Sequence, residues 1–78
     1  MKLSKLVPYV VTKGNTDGSI AKGDIVWLGR DKSITIAGDN GGWIPKEEQI
    51  DPIMDFEAEE STEYILHVRR GSEILVKK

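Results

Sequence analysis

The sequence predicts an all-β fold, a small antiparallel barrel. Three observations carry that expectation. Short apolar, β-branched runs recur along the chain, as in Ile25-Val26-Trp27-Leu28, Ile34-Thr35-Ile36 and Tyr64-Ile65-Leu66-His67-Val68. Glycine-rich polar stretches separate them at roughly 8–12-residue spacing. No segment sustains a helical period over about 12 residues, and no internal repeat is visible.

With 78 residues the chain is long enough for one small domain. We take residues 1–78 as that domain, with a barrel core over 6–50 and an extension over 51–78 that ends in a hairpin. It has no cysteine. Hydrophobic burial therefore has to act without a disulfide or a thiolate zinc site. No apolar run approaches the ~20 residues that span a bilayer. Pro8 and Lys13 interrupt the apolar start Leu6-Val7-Pro8-Tyr9-Val10-Val11, and no small-residue cleavage site follows, which argues against secretion. The expected location is the cytoplasm of a bacterial host, or a virion if the protein is structural.

Taken in order, residues 6–13 read as the first strand, with Pro8 at its start or on an edge because it cannot donate a ladder bond. Gly14 to Ser19 is a turn, in which Asn15 and Asp17 can bond nearby backbone. Its Asn15-Thr16-Asp17-Gly18 lacks the alternating acids and closing glutamate of a calcium loop. The uninterrupted apolar run Ile25–Leu28 predicts a strand covered on both faces. Gly29-Arg30-Asp31-Lys32 is the next turn. Ser33–Ala37 is a strand with Ile34 and Ile36 on one face, and Asn40-Gly41 suits a type I′ turn. Trp43-Ile44-Pro45 reads as a short strand and 46–50 as one helical turn. Asp51-Pro52 marks a break. Residues 51–63 stay open between strand, short helix and linker. The end of the chain reads as a hairpin around Gly71-Ser72 in a type II′ turn. Tyr64, Leu66 and Val68 are expected inside, completed by Ile74 and Val76, or by Leu75.

Charge is unevenly laid out. Residues 47–63 hold eight acids and no base, whereas 64–78 hold four bases and one acid. The acidic block suits either a solvating surface or a basic partner. Arg69, Arg70, Lys77 and Lys78 gather near the last hairpin without interleaved aromatics, which disfavours nucleic acid as a partner. His67 stands alone on a strand, no serine lies in a nucleophile elbow, and the glycines do not follow a phosphate-binding spacing. A chain this short also leaves little room for a cleft between paired carboxylates. No enzyme, cofactor or metal is expected. Trp27 and Trp43 fill the core or line a peptide groove.

The span from Ile20 to Ile50 resembles the bacterial SH3-like barrel. The features that match are Lys22-Gly23-Asp24-Ile25-Val26-Trp27-Leu28, a turn, Ser33-Ile34-Thr35-Ile36, and then Gly42-Trp43-Ile44-Pro45. The chain departs from that family by continuing past the expected last strand into an added C-terminal hairpin. In size, acidic block and opening it is also similar to small phage and prophage proteins of Gram-positive bacteria. The expected function is a non-enzymatic protein-binding module of phage or mobile-element origin, with Tyr9, Trp27 and Trp43 at a groove and Glu57, Glu59 and Glu60 as a charged rim. Alternatives are a phage structural or assembly component, or an acidic decoy that inhibits a nucleic-acid-binding protein. The partner is expected to be a protein, with no membrane involved, and the unpaired hairpin edge favours homo-oligomers.

Overall fold

The computed structural model describes residues 2–38 and 44–78, apart from the Gln49 side chain. Its strands are β1 (Tyr9–Lys13), β2 (Ile25–Leu28), β3 (Ile34–Ile36), β4 (Glu57–Glu60), β5 (Tyr64–Arg69) and β6 (Ser72–Lys77). A 3-10 turn, Glu47–Gln49, runs into the short helix α1, Ile50–Met54. β1 to β4 form an antiparallel sheet in the order β3-β2-β1-β4, and β5 and β6 form a separate hairpin. The architecture is all-β. Among the described residues neither sheet closes on itself, because β3 and β4 are opposite edges of the larger one.

The apolar run of β2 is covered on both faces, as its lack of alternation predicts. Successive side chains of a strand point to opposite sides. Val26 is fully buried in a core with Leu3, Val11, Ile20, Ile34, Ile36, Ile53 and Phe56. Trp27 points the other way and is 5% exposed. Ile34 and Ile36 share the core face, and Thr35 lies opposite Trp27 in register. Pro8 sits one residue before β1, where its carbonyl accepts from the Ser61 amide at 2.9 Å.

The 14–19 turn is held by its own polar side chains. Asn15 Oδ1 accepts from the amides of Gly18 (3.0 Å) and Ile20 (3.1 Å), and Asp17 Oδ1 from that of Ser19 (3.0 Å). Asn15 Nδ2 also donates to the Ile53 carbonyl, and the Thr16 amide to Asp55 Oδ1. These bonds fasten the turn to α1 and the residue after it.

Several expectations change. Asp51-Pro52 is no break: Pro52 lies in the first turn of α1, where a missing amide costs no helical bond. The open stretch 51–63 becomes α1 and then β4, which pairs with β1. Its Ile53 and Phe56 are part of the core. The last hairpin turns at Arg70-Gly71, not Gly71-Ser72, because Arg69 pairs with Ser72. Arg70 (φ 51°) and Gly71 (φ 80°) are both left-handed, as a type I′ turn requires. In that hairpin Tyr64, Leu66 and Leu75 are half-buried, while Val68 and Ile74 are each 45% exposed rather than inside. Residues 44–46 are not in a strand, and the Asn40-Gly41 turn and Gly42-Trp43 lie outside the described residues.

Candidate functional site

The β2–β3 turn positions the polar part of the site. Its Gly29 amide donates to the Ser33 carbonyl at 2.8 Å, and Lys32 (φ 66°) donates back to Gly29 O at 3.0 Å. Asp31 Oδ1 accepts from the Ser33 hydroxyl at 2.6 Å and from its amide at 3.1 Å. The hydroxyl bond and then the amide bond hold the Asp31 carboxyl below its ordinary value. The tight turn brings Arg30 against the tip of the hairpin.

There Glu73 acts as a hub. Its Oε1 accepts from Trp27 Nε1 at 3.1 Å, and its Oε2 from the Arg30 amide at 2.8 Å. Arg30 Nε stands 3.5 Å from the same oxygen, and Arg30 Nη2 donates to the Gly71 carbonyl. Gly29 leaves room for this approach: a Cβ there would meet Glu73 Oε1 at 3.0 Å and Asp31 Oδ1 at 3.2 Å, so both carboxylates would have to shift by a few tenths of an ångström. The indole N–H, buried on the face away from the main core, is thereby satisfied.

Beside this hub lies an open groove of about 960 Å³. Trp27 is its floor, Thr35 to Gly38 form one wall, and Ser72 to Leu75 form the other. In an antiparallel pair, hydrogen-bonded residues alternate along each strand. The bonds Gly29 N to Ser33 O and Ala37 N to Ile25 O turn the backbone of Ser33, Thr35 and Ala37 toward β2. The amides and carbonyls of Ile34 and Ile36 therefore point away from β2, to the outer edge. The bond from Lys78 N to Glu63 O fixes the same alternation in β6, so Glu73 and Leu75 direct theirs away from β5. Among the described residues no strand pairs with either outer edge.

Of the five described residues among those singled out in the sequence, the structure brings one to this groove, Trp27. Tyr9 pairs with Val26 and so lies on the opposite sheet face, half-buried against the core, with its hydroxyl accepting from the Ser4 amide at 3.2 Å. Glu57, Glu59 and Glu60 are exposed on β4, at the far edge of the sheet from β3. Trp43 lies outside the described residues. His67 is exposed on the hairpin. Sequence reasoning missed Arg30, Thr35, Glu73, Ile74 and Leu75. One signal pointed to Glu73: it is the single acid in the basic segment 64–78.

Among the described residues no three of His, Cys, Asp or Glu are grouped to hold a metal, and no helix is long and apolar enough to cross a membrane. Comparison with family models, curated proteins and solved structures finds no match to this chain.

Proposed function

We propose that this chain is a non-enzymatic protein-binding module, on an SH3-like barrel scaffold, that takes an extended peptide strand into the groove between β3 and β6. The observation that carries this reading is the pair of backbone edges, unpaired among the described residues, on either side of one groove with an indole floor. In β-strand addition, main-chain bonds give affinity and pockets for alternate side chains give specificity. A guest strand would bond Ile34 and Ile36 on one side or Glu73 and Leu75 on the other, and would set alternate side chains against Trp27. The scaffold reading is supported by the return of β4 to β1, which makes the first and last strands of the larger sheet neighbours.

The test is selection from a displayed library of random decapeptides, followed by amide exchange on the complex with an enriched peptide. Slowed exchange at Ile34 and Ile36, or at Glu73 and Leu75, is the expected result. Ala37→Phe, which fills one end of the groove, should reduce binding at least tenfold. No enriched peptide, protection confined to other strands, or equal binding by Ala37→Phe each overturns the reading.

A further inference from the structure

The register of the last hairpin assigns Ile65, His67, Arg69, Ser72, Ile74 and Val76 to one face, opposite to the face through which Glu73 reaches Trp27. That outer face breaks the usual alternation of apolar-in and polar-out. Ile65 is 37% and Ile74 45% exposed. Within the two strands no carboxylate stands on it; Glu63 lies at its open end, where its carbonyl accepts from the Lys78 amide. Arg69 and Arg70 lie at its tip and Lys78 at its other end, all exposed. It is an aliphatic strip with a basic tip.

β4 has the opposite character. Glu57, Glu59 and Glu60 are exposed on an edge strand whose outer backbone has no strand partner among the described residues. Lys13 stands across from Glu57 in register, on the inner side. Among the described residues the one ion pair within the chain is Arg30–Glu73. Among the described residues, neither the hairpin cations nor the acids of β4 are therefore neutralised by a direct ion pair.

We propose that the outer face of the β5–β6 hairpin docks on the acidic β4 edge of a second copy of this chain. The occupant is identified by charge complementarity: a face whose tip carries Arg69 and Arg70 meets an edge strand with three exposed glutamates. The buried part of the contact is the Ile65, Ile74 and Val76 strip, which desolvates the charge pairs at its margin. The two patches differ, so the contact is heterologous and propagates into rings or open chains rather than closing as a two-fold dimer. This association is independent of peptide binding in the groove.

Charge exchange tests it by sedimentation equilibrium. One variant carries Arg69→Glu and Arg70→Asp, and the other carries Glu59→Lys and Glu60→Lys. The wild-type chain should exceed the monomer mass at low salt, with dissociation at least tenfold stronger at ~0.5 M salt, where screening acts over only a few ångströms. Each variant alone should be monomeric. Their equimolar mixture should reassociate, because the basic hairpin of one meets the acidic edge of the other, a recovery that misfolded chains would not give. Ile65→Ser should weaken association without altering charge. A wild-type chain monomeric at ~1 mM, association insensitive to salt, variants that assemble like wild type, or a mixture that stays monomeric each overturns the proposal.

Discussion

Glu73 accepts from the Trp27 indole and the Arg30 amide and stands beside the Arg30 guanidinium, so one carboxylate joins the hairpin to the β2–β3 turn. Its side chain is 17% exposed and that of Arg30 46%, so the ion pair itself contributes little and the buried indole bond decides the effect. Glu73→Ala leaves the indole N–H without its acceptor and should cost about 1–3 kcal/mol in urea unfolding. Glu73→Gln keeps an acceptor oxygen and should cost less. Asp55 illustrates a different residue-scale effect. The Thr16 hydroxyl first, and then its amide, hold the Asp55 carboxyl below its ordinary value. A carboxyl depressed in the fold contributes stability that is complete above its unfolded value, near pH 4, and is lost as pH falls through the folded one. The Thr16 amide resonance should therefore move in acid, below the range where a free aspartate titrates. Asp55→Asn should remove that movement; an unchanged titration would refute the tether.

At the scale of elements, α1 gives a matched comparison. Ile53 is 4% exposed and Ile50 44%, on the same short helix. Ile53→Ala should cost roughly 2–5 kcal/mol and Ile50→Ala within about 0.5 kcal/mol, both read by chemical denaturation. Equal costs would contradict the orientation of the helix. The last hairpin offers a gain instead. Arg70 holds a left-handed backbone in a type I′ turn, where asparagine is the better-suited residue. Arg70→Asn should raise stability by about 0.5–1 kcal/mol, because asparagine tolerates that conformation at lower steric cost. A fall in the thermal midpoint would argue that the arginine side chain has a compensating contact.

For the whole molecule, the larger sheet is covered twice. The loops, α1 and Phe56 cover one face, and the hairpin reaches Trp27 on the other. Ending the chain after Ser61 should therefore uncover Trp27. In a Trp43→Phe background its emission should shift to longer wavelength and the unfolding midpoint should fall. Unshifted emission would show that the hairpin does not shield the indole.

The strands β1, β2 and β3 and the final hairpin were legible in the sequence because period and turn chemistry are local: Ile34 and Ile36 alternate around Thr35, and Ile25–Leu28 has no polar break. β4 was not legible. Its Glu57-Ala58-Glu59-Glu60 carries no strand signal, and it is extended because β1 offers it an unpaired edge. The hairpin turn, expected as type II′ at Gly71-Ser72, is type I′ one residue earlier, since Arg70 at positive φ is a poor local choice that the hairpin register imposes. The groove was legible only at Trp27. Tyr9 and Trp27 look like partners along the chain, yet pairing of Tyr9 with Val26 sends them to opposite faces.

The sequence by itself determined the all-β class, the two-sided burial of β2, and the separation of an acidic block from a basic end. These follow from residue chemistry at short range. Only the tertiary structure decided which residues meet. Glu73 reaches Trp27 across 46 positions, and the outer edges of β3 and β6 come to flank one groove. Such pairings depend on how sheets stack and on which edges remain unpaired, properties that no local pattern encodes.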